Sequence, residues 1–383
     1  MRFLRSPTSG AIVVERAGLH LPYLDGLRAA ASLYVVAFHA MFGFSRASMT
    51  GRWRFLRPVF AYGHEAVAIF IVLSGYCLML PALQRAPALT APFGKFMRRR
   101  ALRILPPYFA ALGVSLALIG AVPRLRIASG TTWDDSLPAF DTGAIASHLL
   151  LVHNWFPEWK VQINGPLWSV ATEWQIYFCF PLLLLPAWRR FGAVAALAVA
   201  AAAAYVPLLL FPVAADAAVS WYLLLFAFGM AAAALGFSKE PAPLRVGQRV
   251  PWGVVSCVLW VACVILSLAA ARVWFHVKPL ADVLVGLAAA TLLVHLANRW
   301  ENRRGGLLLR LLESRTFVTL GGFSYSLYLT HLPVLALCKL AIDSFRLTPL
   351  VAAFTLLGVG GATSIVFAYA FYQLVERPSL VRR

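Results

Sequence analysis

Charge is what this sequence has least of. Only 13% of its 383 residues are Asp, Glu, Lys or Arg, about half the roughly 25% of an ordinary globular chain. Acidic residues are scarcest: 15 against 34 Lys and Arg, a formal net charge of +19. The five cysteines (Cys77, Cys179, Cys257, Cys263, Cys338) all fall inside apolar runs and form no short CxxC pair. That excludes a disulfide framework and a zinc site, so no metal is expected. The N-terminus carries Arg2, Arg5 and Arg16 without the apolar core and small-residue site of a cleavable leader. No internal repeat is visible, which argues against a repeat-built architecture.

What is present is apolar length. Hydrophobic residues make up 61% of the chain, more than a soluble fold can bury. Ten runs approach the roughly 20 apolar residues of a membrane helix: 24–44, 61–82, 101–121, 165–187, 191–211, 217–237, 251–271, 277–297, 317–340 and 350–373. The fourth and eighth are the least clean, because they carry Glu173 and Asp282. The basic residues lie between the runs. That is a topology signal rather than the basic patch of a nucleic-acid binder, so no nucleic-acid partner is expected. With the N-terminus inside, Lys and Arg favour the cytoplasmic side roughly two to one. The expectation is an all-α polytopic membrane protein of about ten transmembrane helices with both termini cytoplasmic. It divides into an N-terminal tail 1–22, a transmembrane domain 23–378 with a long outer loop near 122–164, and a tail 379–383.

The first run, "YLDGLRAAASLYVVAFHA", places two ionisable residues in lipid. Arg28 and His39 are eleven positions apart, nearly three helical turns. They therefore share a face, about 16 Å from one another along the axis. An ionisable side chain in a membrane helix faces protein or water and is a functional hypothesis by default. Taken singly, Arg28 reads equally as a snorkelling topology cation and His39 as a packing histidine. Their common face favours function.

Further stretches stand in order along the chain: "GHEAVAIFIVLSGYCL" (63–78), "FMRRRALRILPPYF" (96–109), "NGPLWSVATEWQIYFCFPLLL" (164–184), "FSYSLYLTHLPV" (323–334) and "LVERP" (374–378). With the Arg-x10-His spacing, this series resembles the acyltransferase 3 family of bacterial integral-membrane O-acyltransferases, from about residue 20 to 378. The resemblance implies an enzyme transferring groups other than aminoacyl groups. It would move an acyl group, acetyl above all, from cytoplasmic acyl-CoA to a hydroxyl. The acceptor would be a surface carbohydrate, a lipid-linked glycan or a small molecule. The protein would lie in the bacterial cytoplasmic (inner) membrane, with the lipid bilayer, acyl-CoA and a carbohydrate or other hydroxyl acceptor as partners. By the same resemblance His39 is the catalytic histidine and Arg28 its motif partner. Ala68 stands where many members carry Asp, and Trp174 replaces one of two adjacent acidic residues, leaving Glu173. Both departures bear on acceptor choice.

Thioester-to-alcohol transfer needs a base, a holder for the CoA phosphates and donors for the developing oxyanion. His39 is the expected general base, its ordinary pKa near 6.5 suiting the task; an acyl-histidine intermediate is the variant route. Arg28, Arg100 and Arg103 are the expected phosphate holders, Arg100 and Arg103 sharing a face at i, i+3. Positive-inside topology accounts for Arg98 and Arg99. Glu173 is expected to orient a histidine or pair with an arginine, and Glu376 to pair with Arg377. Ser74, His64, Glu65, Trp168, Tyr328 and His331 are the candidate acceptor or pocket residues. Close packing, an ion pair or an interfacial aromatic remains the alternative for each. The competing function is a proton-coupled secondary transporter of an anionic solute, with the arginines as clamp and His39 with Glu173 as proton relay. The missing inverted repeat counts against it.

Overall fold

A computed structural model describes residues 20–44, 55–84, 92–269 and 278–381. The described residues are helical, with no strand among them. This is the expected answer to an apolar solvent: inside a bilayer a helix satisfies every backbone group locally. Seven helices are long and apolar enough to cross a membrane, and nine are if each of two bent pairs counts as one span. The protein is a multi-pass membrane protein.

The principal helices are α1 (Pro22–Phe38), α2 (Gly63–Gln84), α3 (Phe93–Ala121), α4 (Leu167–Cys179), α5 (Leu185–Leu210), α6 (Tyr222–Phe237), α7 (Trp252–Ala269), α8 (Lys278–Glu301), α9 (Ser324–Asp343) and α10 (Gly361–Phe371). The seven long apolar helices take residues 167–210 as one stretch, which holds two of the ten runs of the sequence. The backbone leaves the helix at Gly192 within that stretch, so α5 is two helical segments and the break falls at the junction of the runs 165–187 and 191–211. The stretch turns at Gly192, whose φ of 84° only glycine adopts cheaply.

Four π-helical turns interrupt the bundle: His39–Gly43, Phe180–Leu184, Leu356–Gly360 and Tyr372–Glu376. Such turns widen a helix locally and gather at functional positions. Pro181, which has no N–H, accounts for the second. The first and last carry His39 and Glu376 at their ends.

The most extensive packing joins α2 to α6. Backbone meets backbone there. A Cβ at Gly75 would stand 2.0 Å from the Phe226 carbonyl oxygen, and one at Gly229 would stand 2.0 Å from that of Val72. Small residues that let backbones touch replace the hydrophobic effect as the adhesive between helices in lipid. This contact fixes α2, which supplies Ser74 to one cavity and His64 to another. The 122–164 segment is ordered by three short 3-10 turns, Pro123–Arg126, Thr132–Ser136 and His153–Trp155, and the helix Thr142–Leu149. It lies against the end of the bundle that carries His39.

Candidate active site

Two adjoining cavities occupy the bundle, and Val67 and Tyr328 line both. The first is lined by Arg28, Arg100 and Arg103 with Ser74, Glu173, Tyr177 and Glu376. The second is lined by His39, His64 and Trp168 with Thr132, Asp135 and Ser136 of the 122–164 segment. Arg28 and His39, placed on one face by the sequence, thus serve different cavities on either side of a shared wall.

In the first cavity the arginines are not equivalent. Arg28 donates to the Asp25 carboxylate at 2.7 Å and lies 3.0 Å from the Cys77 sulfur. Asp25, three residues upstream on the same helix face, already neutralises it. Arg100 and Arg103 form no ion pair with any described residue, and the buried Nε of Arg100 has no hydrogen-bond partner. The adjacent Arg98 and Arg99 are exposed and do not line the cavity. One helical face of "RRRALR" therefore turns inward, as the i, i+3 spacing requires.

Glu173 departs from expectation. It pairs with neither a histidine nor an arginine but accepts from the hydroxyls of Ser74 and Tyr177, both at 2.6 Å. Ser74 Oγ and Tyr177 Oη are 3.0 Å apart, closing a triangle between α2 and α4. Glu376 departs likewise. It accepts from Ser326 at 2.5 Å, while Arg377 donates to Gln373 one turn back. Ser74 and Ser326 reach these carboxylates from facing helices and Tyr177 from one turn along α4, whereas Arg377 is exposed.

In the second cavity the histidine tautomers follow from the partners. His331 Nδ1 faces two carbonyls, Tyr328 O at 2.8 Å and Leu327 O at 3.1 Å. Carbonyls only accept, so Nδ1 carries the proton and the neutral His331 Nε2 is a bare lone pair. That lone pair is 3.1 Å from His39 Nδ1, which also lies 2.9 Å from Val35 O. Facing two acceptors, His39 Nδ1 must carry its proton. The lone pair of neutral His39 is then on Nε2. His331 is fully buried, and His39 is half-buried against the cavity.

Tyr328 contributes its hydroxyl at the shared wall, 2.7 Å from Ser169 Oγ and 3.2 Å from Pro166 O. Asn164 ties this corner together by donating to Leu329 O at 2.9 Å. His64 is held by Asp282, Nε2 to Oδ2 at 2.9 Å, and Asp282 also accepts from the Trp221 indole at 2.8 Å. Asp282 is 1% exposed, so the carboxylate that blurred the eighth run is a buried partner from α8. Trp168 is already engaged: the His64 ring stacks on it at 5.5 Å, and the Lys160 ammonium stands 4.8 Å from its centroid. Burial, with Lys278 adding repulsion, pulls the Lys160 ammonium down to about 8. Glu65 is not brought to His39. It lines a separate apolar groove with Tyr34, Ile69 and Trp260.

Residues that the sequence did not single out for the site are Asp25, Tyr177, Asp282 as the His64 partner, and the Thr132–Ser136 turn. Asp25 had a usable signal in its i, i+3 spacing from Arg28. The others are joined only through tertiary contacts.

A multi-pass helical bundle with an arginine-lined cavity set against a histidine-lined one has the parts of a membrane transferase. The family model described as the acyltransferase domain, acyltransferase 3, matches residues 21–373. The chain belongs to that family and is an acyltransferase. Among curated proteins it is 29% identical over 339 residues to "Acyltransferase MdmB" of Streptomyces mycarofaciens, covering 83% of this chain and 79% of the relative. It is 28% identical over 178 residues to "Putative peptidoglycan O-acetyltransferase YrhL" of Bacillus subtilis, 43% of this chain and 24% of that longer protein. It is 28% identical over 171 residues to "Protein 2 in picA locus" of Rhizobium radiobacter, 44% of this chain and 81% of the relative. No solved structure matches.

Proposed function

We propose that this protein is an acyl-CoA-dependent O-acyltransferase. It takes an acyl group, acetyl first among candidates, from CoA on the cytoplasmic side of the inner membrane. It passes the group to a hydroxyl of a surface carbohydrate, a lipid-linked glycan or a small molecule. The observation that carries this reading is the bare Nε2 of His39, held in one tautomer by Val35 O and His331, beside a cavity with two uncommitted guanidiniums. YrhL supports acetyl as the group by its name alone.

Arg100 and Arg103 suit the CoA phosphates because a planar guanidinium binds a phosphate through two parallel hydrogen bonds. Arg28, neutralised by Asp25, acts there as a fixed donor and not as a free charge. The thioester arm extends from this cavity toward the wall at Val67 and Tyr328. His39 Nε2 takes the proton of the acceptor hydroxyl as its oxygen bonds to the thioester carbonyl carbon. The carbon–sulfur bond breaks, and the same proton passes to the departing CoA thiolate. The acyl-histidine route uses the same atom, Nε2 attacking the carbonyl first. His39 Nδ1–H, polarised toward His331, stabilises the imidazolium in either route.

The test is labelled acetyl-CoA with membranes holding the full chain. Release of CoA with label on an acceptor supports the reading. Release that is unchanged in His39→Ala at equal protein level overturns it. A burst of CoA release stoichiometric with protein, seen before acceptor is added, distinguishes the acyl-histidine route from direct transfer.

A further inference from the structure

The turn Thr132–Ser136 forms part of the wall of the His39 cavity. It is built rigidly. Trp133 points inward, 2% exposed, and its indole donates to Leu125 O at 2.9 Å. The Asp134 carboxylate accepts from Ser129 N at 2.7 Å, Ser129 Oγ at 2.9 Å and Gly130 N at 2.8 Å. The Thr131 hydroxyl accepts from Trp133 N at 3.3 Å. These bonds fix the backbone and leave the cavity-facing side chains out of it.

The Thr132 and Ser136 hydroxyls have no hydrogen-bond partner among the described residues. Ser136 is 1% exposed, and its hydroxyl makes no hydrogen bond. Thr132 Oγ1 is also buried and unbonded. Leaving a buried hydroxyl unsatisfied costs about 1–3 kcal/mol, and native folds retain few such groups. Two in one turn, lining one cavity with the Asp135 carboxylate between them in sequence, point to a ligand that completes them. The turn is also registered to the reacting atom's helix. A Cβ at Gly43 would stand 2.6 Å from Thr132 Oγ1, so the turn sits on the π-helical turn that begins at His39. The cavity measures about 240 Å³, several times the roughly 30 Å³ share of a liquid water.

We infer that the Thr132–Ser136 turn is an acceptor-reading site for a polyhydroxylated compound, holding neighbouring hydroxyls while one hydroxyl lies at His39 Nε2. This rests on the acyl-transfer reading above and narrows its acceptor class. Hydroxyl side chains both donate and accept, and a carboxylate accepts from a hydroxyl. The set matches a polyol and offers nothing to a long apolar alcohol.

The experiment uses full-length protein in membranes, labelled acetyl-CoA and two probe acceptors, methyl glucoside and 1-butanol. The expected result is a kcat/KM for the glucoside about 100-fold above butanol, the equivalent of two to three neutral hydrogen bonds. Thr132→Val and Ser136→Ala each raise the glucoside KM about five- to tenfold, and neither moves the KM for acetyl-CoA or butanol by more than about twofold. Thr132→Ser, which keeps the hydroxyl, restores the glucoside KM. CoA release without preference for the glucoside, or an equal change of every KM in the variants, overturns the inference alone. Absence of CoA release with any acceptor overturns the acyl-transfer reading and this inference with it.

Discussion

His331 offers a sharp test of how His39 is set to work. The two rings meet at 3.1 Å, His39 Nδ1 to His331 Nε2. In the resting state the bond adds little, because His39 Nδ1 also has Val35 O at 2.9 Å. The tautomer therefore survives loss of His331. When Nε2 takes a proton or an acyl group, the ring becomes cationic, and the Nδ1–H bond becomes charge-assisted. Such bonds are worth about 1.5–3 kcal/mol, roughly twice a neutral one. The gain exists only in the transition state, so it belongs to kcat. His331→Ala is expected to lower kcat about 10- to 150-fold with the KM for acetyl-CoA within about twofold. His39→Ala, which removes the base itself, is expected to lose about 100- to 10,000-fold. The double variant should match His39→Ala alone, because a supporting ring has nothing left to support. His331→Gln, whose side-chain oxygen can accept from Nδ1–H, should recover part of the loss. The assay is CoA release in membranes normalised to protein level. An unchanged kcat in His331→Ala, or additive losses in the double variant, would refute the reasoning.

Three further outcomes are expected. Gly75→Ala forces a methyl to 2.0 Å from Phe226 O and should destabilise the α2–α6 contact by about 1–3 kcal/mol, read as a lowered thermal midpoint in detergent; an unchanged midpoint would mean that the helices separate freely. Arg103→Ala should raise the KM for acetyl-CoA at least about tenfold, as loss of a charged phosphate contact does, while exposed Arg98→Ala leaves it alone; equal effects would assign both to topology. The stacked His148 and His153 rings, 3.7 Å apart and fully buried, are pushed down to about 4 and about 2, by burial first and for His153 also by its neighbour. Their unfolded forms take up protons below about pH 6.5, so stability of the 142–164 segment is full above that pH. It falls as pH drops toward 4, by about 3 kcal/mol for His148, measurable by hydrogen exchange; a flat profile would refute the assignment.

Much of this was legible in the sequence, for reasons that differ by residue. Apolar runs of membrane length are a one-dimensional signal, so the ten runs locate the helices. The gap between the runs 165–187 and 191–211 was legible, and the backbone leaves the helix there at Gly192. The inward turn of Arg100 and Arg103, away from Arg98 and Arg99, was legible from helical spacing. The partners of Glu173 were not. Ser74 lies 99 residues away, and apolar patterning says nothing about which helices face one another. His64 shows the same limit: it could be placed near the mouth, but Asp282 comes from 218 residues further on. Glu65, its immediate neighbour, turns about 100° around the helix and faces elsewhere.

The charge arrangement of the first cavity explains why two arginines, and not three, are expected to bind the donor. Its lining holds Arg28, Arg100 and Arg103 against Asp25, Glu173 and Glu376. A simple tally would make it neutral and a poor site for CoA. The bonds divide the charges differently. Asp25 is spent on Arg28 at 2.7 Å. Glu173 accepts from two hydroxyls and Glu376 from Ser326. Arg100 and Arg103, both half-buried, form no ion pair with a carboxylate of any described residue. An anionic ligand is what such a pair lacks. On the proposed reading the CoA phosphates would stop at these arginines, and the uncharged thioester arm would continue toward Tyr328 and His39.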